Sequence, residues 1–252
     1  MPHKFRIFSF SYLKTSVLQR YRRFLINTLP GKSTHRQFIL LSSPRSGSTL
    51  LHTYLNSNLN IYSLGELPWR ELENGIDTDY FKPYPNVIQA IGFKVFYQFS
   101  EQAPYDDLYS KLTQDKDLKV IHLTRENMLE KYISEVLAWQ KREWTTKKET
   151  SNEDKITLDL AAFEAHVHQQ KAQQAQSLED FKEHSMISLS YESLTQDPET
   201  VLNEVQSFLG VRIRKLFTVL EKQATYSLSD LLKNVDEVRE KYPQYFSSNN
   251  QP

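Results

Sequence analysis

The sequence predicts an α/β protein in three layers, α/β/α, around a mostly parallel central sheet. Two observations lead there. Short apolar runs without helical period alternate with stretches whose apolar residues recur every three or four places, the order expected of strands joined by covering helices. The first such pair runs from a strand-like "FILLSS" through a small polar turn, "PRSGST", into a helical pattern. The chain's 252 residues suit one domain of this class, and the absence of cysteine excludes disulfides, zinc–thiolate sites and thiol catalysis.

The chain divides into a basic segment at 1–36, a domain at 37–246 with a polar insertion near 141–156, and a frayed tail at 247–252. From Met1 to Gly65 there are nine Lys and Arg and no acidic residue, which leaves 22 basic against 31 acidic residues for the remainder. The N-terminal quarter therefore carries a positive field that draws in anions. Three readings fit its opening, "MPHKFRIFSFSYLKTSVLQRYRRFLINTLPGK": a packed basic surface helix, a segment lying on an anionic membrane, and a transit peptide. No stretch approaches the roughly 18 apolar residues of a spanning helix. The expected location is cytoplasmic, with peripheral membrane contact through this segment as the alternative to a packed helix.

The first strand is Phe38–Ser43. From Gly47 to Asn58, Leu50, Leu51, Tyr54 and Leu55 recur at helical spacing. Strand, tight turn and helix make the framework of a phosphate loop, whose usual form is G-x-x-x-x-G-K-[ST]. Here Ser42 takes the first glycine's place, no lysine follows Gly47, and Arg45 stands two places before it. The turn points backbone N–H groups and the positive end of the helix dipole at one spot, so Arg45, Ser46, Gly47, Ser48 and Thr49 are candidate anion ligands. An ordinary capped helix start is the plain alternative.

Further strands are expected at 60–64, 90–99, 118–124 and 185–191, the second of these rich in β-branched and aromatic residues. The fourth leads into "RENMLEKYISEVLAWQ", of helical period. "LAAFEAHVHQQKAQQAQSLEDF" reads as a long polar helix, and "DPETVLNEVQSFLG" as a helix stopped by Gly210. With only six glycines in the chain, each is expected to serve a backbone purpose, Gly47, Gly65 and Gly92 among them.

A magnesium-dependent P-loop enzyme needs an Asp at the end of a second strand. "KVIHLT" runs instead into Arg125. A loop without that carboxylate, and with arginines nearby, points to a site free of metal and neutralised by protein cations. At this point the pattern is similar to the sulfotransferase superfamily, closest to bacterial carbohydrate and glycolipid sulfotransferases of the lipopolysaccharide or nodulation-factor type. "SPRSGSTLL" resembles its 5′-phosphosulfate loop and "LTRENMLEKYIS" its 3′-phosphate element. "ISLSYESLTQDPETVLNEVQSFLGV" resembles its later strand–loop–helix signature, and "LEKQATYSLSDLLKNVDEVRE" its closing segment.

The resemblance implies a P-loop-type fold. It also implies transfer of a sulfuryl group from 3′-phosphoadenosine 5′-phosphosulfate (PAPS) to a carbohydrate or glycolipid hydroxyl, with no metal. Arg45 then lies at the leaving phosphate, where negative charge builds as the bond to sulfur breaks. Ser46, Gly47, Ser48 and Thr49 receive the 5′-phosphate. Arg125 and Ser134 grip the 3′-phosphate, at a spacing one residue longer than is usual in the family. Tyr191 lies near the adenine, and Lys222 and Gln223 close over the nucleotide. The plain alternatives are an ion pair of Arg125 with Glu126 or Glu130, a core aromatic at Tyr191, and a solvated helix face at Lys222 and Gln223.

Acceptor deprotonation needs a base. In the small-phenol branch a histidine stands two residues after the lysine matched by Lys94, and here that place holds Phe96. Glu66, after Gly65, is the candidate base, with an ion pair to Arg70 or a loop arginine as its structural alternative. Lys94 then helps hold the transferring group. His52 reads as packed, and His166 and His168 as solvated helix surface, since alternate helical residues do not share a face. Trp69, Tyr80, Phe81, Tyr84, Trp139 and Trp144 suit sugar stacking or lid packing equally. A P-loop small-molecule kinase and a non-catalytic nucleotide- or membrane-binding protein are the competing functions. No nucleic-acid-binding motif appears, so nucleic acid is not an expected partner.

Overall fold

Strand β1 (Arg36–Ser42) is buried from Phe38 onward, because both faces of the sheet it centres are covered. The computed structural model describes residues 10–32, 34–67, 81–141, 155–220 and 227–246. Lys222, Gln223, Trp69, Arg70, Tyr80 and Trp144 lie outside them, as do most of the 141–156 insertion and the tail. β2 (Ile61–Glu66), β3 (Ala90–Phe96), β4 (Lys119–Thr124) and β5 (Met186–Ser190) complete a five-stranded sheet in the order β2-β3-β1-β4-β5, every pairing parallel.

Period-two alternation sorts the core into two layers. Phe38, Leu40, Ile121 and Leu123 face α2 (Ser48–Leu55) and a later helix, packing on Leu51, Leu55, Leu202 and Val205. Ile39, Leu41, Phe93, Val95 and Val120 face the other way, onto Tyr105, Tyr109 and Leu112 of α3 (Tyr105–Gln114) and onto Phe181. A third cluster joins Leu129 and Ile133 of α4 (Met128–Lys141) to Phe163 of α5 (Leu160–Asp180) and to Leu228, Leu232 and Val238. The last three belong to α8 (Leu228–Leu231), the residue after it and α9 (Val235–Lys241).

β1 and β2 are shifted by one or two residues from the sequence expectation, and two further boundaries differ for a local reason. β3 stops at Phe96 rather than continuing to 99, because Tyr97–Glu101 winds into a 3-10 turn that buries Tyr97 and Phe99. Tyr191 starts a helix rather than ending a strand: the Ser190 and Ser193 side chains form a capping box that opens α6 (Tyr191–Gln196). The Asp197 side chain accepts from Thr200 N to cap α7 (Pro198–Phe208), and Gly210, at φ 63°, follows its end. Helix α1 (Phe10–Thr28) packs beside α2 and β2 through Arg22, which donates to Asn56 and Asn58 and lies over the Tyr62 ring.

This topology sets the site. The chain passes from β1 over β3 to β2, and later from β3 back across β1 to β4. The carboxyl ends of β3, β1 and β4 therefore lie side by side where the winding reverses, the place at which open α/β sheets bind ligands.

Candidate active site

Ser42 ends β1 and Ser48 begins α2, so residues 43–47 make the turn. Gly47 is the N-cap, at φ 89°, with no side-chain cap bond to the first amides of α2. Those donors are left for a ligand or solvent. A Cβ on Gly47 would stand 2.5 Å from Cδ2 of Tyr191. Arg45 also adopts a left-handed backbone, φ 61°, a strained conformation for a non-glycine residue. The turn is tied internally: Ser46 Oγ donates to Ser43 O (2.8 Å) and pairs with Ser43 Oγ (2.7 Å). The buried Ser46 hydroxyl is thus engaged within the loop. Ser48 is buried at the start of α2, and Thr49 is exposed beside it.

One cluster forms where β2 and β3 end. Glu66 pairs with Lys94 in the sheet register, after a register shift between Ser63 and Glu66 that contains Gly65 at φ 86°. Lys94 Nζ donates to Glu66 Oε1 (3.2 Å) and to Thr49 Oγ1 (2.9 Å). The lysine side chain is 4% exposed and the glutamate 58%. Burial lowers the Lys94 pKa, and Glu66 opposes that shift. The partner of Glu66 here is Lys94, rather than a loop arginine. Behind this cluster His52 Nδ1 and Ser63 Oγ lie 2.7 Å apart, and burial, then Lys94 and Arg22, lower the imidazole to about 4. His52 is therefore neutral at ordinary pH and packed, as its position suggests.

A second cluster joins the loop to α4. The Arg45 guanidinium donates to Ser134 Oγ through Nε (2.9 Å) and Nη2 (2.8 Å), bringing together two residues that are 89 apart in sequence. Arg125 reaches the carbonyl of Arg45 (3.4 Å), pairs with Glu130 (2.8 Å) and lies 4.6 Å from the centre of the Tyr191 ring. The extra residue between Arg125 and Ser134 does not carry Ser134 away. Arg125 precedes the helix, so the phase of α4 starts only at Met128.

Lys131 and Glu135 are not among the residues the sequence singles out, and His166 departs from its expected place. Lys131 is 1% exposed, donates to Gln170 Oε1 (2.8 Å), and lines a cleft with Ser43, Tyr97, Thr124 and Arg125. Burial lowers its pKa to about 8, with Glu135 opposing and Arg125 adding to the shift. Glu135 is raised by burial and held back by Lys131 and Arg45. His166 is not on solvated surface: its side chain is 17% exposed, it lies 3.7 Å from Glu135 Oε2, and its ring is 4.8 Å from that of Tyr132. Burial, then Lys131, lowers it to about 4. The available signal was spacing, since Lys131, Ser134 and Glu135 fall at i, i+3 and i+4 on α4. Among the described residues no group of three or more His, Asp or Glu is arranged to hold a metal ion.

Comparison with known proteins places the chain. The family model for the sulfotransferase domain matches residues 35–247. Nodulation protein H of Rhizobium tropici is 29% identical over 234 residues, covering 85% of this chain and 91% of that protein. Nodulation protein H of Rhizobium meliloti strain 1021 is 29% identical over 223 residues, covering 80% and 89%. A solved sulfotransferase from Alicyclobacillus acidocaldarius superposes with a TM-score of 0.50 at 16% identity, covering 82% of this chain and 91% of that one, a likeness of fold.

Proposed function

The chain belongs to the sulfotransferase domain family and is a sulfotransferase, and from that premise we propose that it takes its sulfuryl group from PAPS and passes it to a hydroxyl of a carbohydrate or glycolipid. The observation that carries this reading is the contact from Thr49 through Lys94 to Glu66. It sets a carboxylate and a buried cation beside the first turn of the phosphate-loop helix.

The site fits the donor's charge. PAPS carries a 3′-phosphate and a 5′-phosphosulfate, and Arg45, Lys94, Arg125 and Lys131 are four cations set around one turn. Arg125 and Ser134 take the 3′-phosphate, with Tyr191 stacked beside Arg125. The amides of residues 46–49 and the Thr49 hydroxyl take the 5′-phosphate. Ser46 contributes through its amide, because its hydroxyl is bonded to Ser43. Lys222 and Gln223 remain the proposed closing pair.

In the reaction Glu66 accepts the acceptor's hydroxyl proton, and the freed oxygen attacks sulfur in line with the bond to the 5′-phosphate. That bond breaks and its electron pair stays on the phosphate oxygen, where Arg45 and the loop amides offset the charge. Lys94 steadies the sulfuryl oxygens. Such groups act through their stronger hold on the transition state than on the ground state. The acceptor class rests on Glu66 as base, with Phe96 where the small-phenol branch has its histidine.

The test is a screen of glycans and glycolipids with radiolabelled donor on the wild type and Glu66→Gln. Turnover should fall about 10²–10⁴-fold, the usual worth of a general base, with binding of 3′,5′-phosphoadenosine retained. Unchanged turnover would remove Glu66 from the mechanism. Equal affinity for that bisphosphate and for ADP would remove PAPS as donor.

A further inference from the structure

Helix α1 turns only part of its apolar surface inward. Among its described side chains Arg22 and Leu25 are buried, 3% and 9% exposed, and Leu18 and Ile26 are half-buried, whereas Val17, Tyr21 and Phe24 stand 65%, 49% and 60% exposed. An amphipathic surface helix turns such apolar residues inward and its arginines outward. The cause is Arg22, which donates to Asn56 Oδ1 (3.0 Å), Asn56 O (2.9 Å) and Asn58 O (2.8 Å) at the end of α2. These bonds fix the rotation of the helix. Val17, Tyr21 and Phe24, spaced by four and three residues, are then held outward on one face. Leu29, just past the helix, is 47% exposed and extends the apolar surface. A grouped apolar surface of this kind marks a contact site, where scattered single residues would not.

Arg20 and Arg23 are exposed beside that stripe, Lys32 is exposed near its end, and no acidic residue occurs before Glu66. We propose that α1 docks on an anionic lipid bilayer. Val17, Tyr21 and Phe24 enter the interface, and Arg20 and Arg23 meet lipid phosphates. Tyrosine suits that depth, with its ring in the apolar zone and its hydroxyl in the wet one. Arginine reaches from an apolar stem to a charged surface. Charge decides the occupant. A second copy of the chain packed through the same face would set two acid-free, arginine-bearing helices against each other, whereas an anionic bilayer is complementary to both stripe and charge. This inference stands on α1 alone and does not depend on the donor or acceptor proposed above.

The full chain is sedimented with vesicles of phosphatidylcholine alone and of phosphatidylcholine with phosphatidylglycerol in equal parts, at low and high salt. Wild type should pellet with the anionic vesicles and be released by salt. Arg20→Gln with Arg23→Gln should weaken that binding about fivefold per arginine, at about one such factor per basic residue near a charged surface. Val17→Ser with Phe24→Ser should weaken it at least about tenfold, through lost burial of apolar surface. All four positions are exposed, so melting temperature should hold in both variants. Pelleting no greater with anionic vesicles than with neutral ones would overturn the proposal. So would a wild-type dimer in sedimentation velocity that Val17→Ser with Phe24→Ser converts to monomer.

Discussion

Lys131 shows what a single residue gives up to sit in this site. A lysine lowered from 10.5 to about 8 by burial is opposed as a cation by roughly 3 kcal/mol at neutral pH, at about 1.4 kcal/mol per unit. Lys131→Met keeps the stem and removes the charge. Thermal unfolding should therefore show a gain of about 1–3 kcal/mol at neutral pH, less what the bond to Gln170 contributed. Affinity for 3′,5′-phosphoadenosine should fall about tenfold or more, the worth of one charged hydrogen bond. The pH dependence follows from the sign. Between about 8 and 10.5 the unfolded chain holds the Lys131 proton more tightly than the folded one, so wild-type stability rises with pH there and the gap to the variant closes. A variant with unchanged stability and unchanged affinity would count against both statements. Arg45, Glu66 and Arg125 were legible as site candidates because each stands beside a glycine or a strand end. Lys131 was not, because a lysine one turn into a helix looks solvated until α5 is laid over it.

At the scale of elements, the bulge in β2 decides where Glu66 points. The register between β2 and β3 slips between Ser63 and Glu66, and Gly65 absorbs the slip at φ 86°. A Cβ on Gly65 would meet His52 at an ordinary 3.5 Å, so the cost of Gly65→Ala lies in the backbone, about 1–2 kcal/mol. If the strand relaxes instead, Glu66 moves off Lys94. Turnover is expected to drop about 10²-fold, as for a displacement of about 1 Å at a reacting group, with only a modest fall in melting temperature. A variant that loses stability but keeps full turnover would show that the bulge does not position the carboxylate. Other elements were readable to within a few residues: β1, β4, β5, α2, α4, α5 and α7 all carry clear periodicity and terminal signals. Helix α3 has no counterpart among the elements expected from the sequence, although Tyr105, Leu108, Tyr109 and Leu112 have helical spacing. β3 was drawn too long because "FYQF" has strand composition, and only its burial as a 3-10 turn under α5 overrides that preference.

For the molecule as a whole, buried neutral histidines set the acid limit. His52, His122 and His166 are each lowered to about 4, with burial the leading cause. The stability they confer is fully present above about 6.5, their unfolded value, and is lost as pH falls toward 4, since the unfolded chain then binds protons the folded chain refuses. At about 1.4 kcal/mol per unit, less the solvent screening at the half-buried His166, these groups together contribute several kcal/mol, a sizeable part of the roughly 5–15 kcal/mol that holds a domain together. Thermal melts from pH 7 to 4 should show a steep fall beginning below about 6.5. A flat profile would mean that these imidazoles are charged in the folded state.

The sequence alone determined the class of the fold, the place of the phosphate loop and the strand ends that carry its cations, because these depend on local periodicity and on turn chemistry at fixed offsets. Tertiary structure decided the rest. It paired Arg45 with Ser134 across 89 residues and gave Glu66 to Lys94 rather than to an arginine. It also buried His166 and Lys131 between two helices and rotated α1 so that an arginine faces in and a phenylalanine faces out. The physical reason is common to all four. Pattern and propensity place a residue on an element, but its partner is set by what other elements bring within hydrogen-bonding distance once water is excluded.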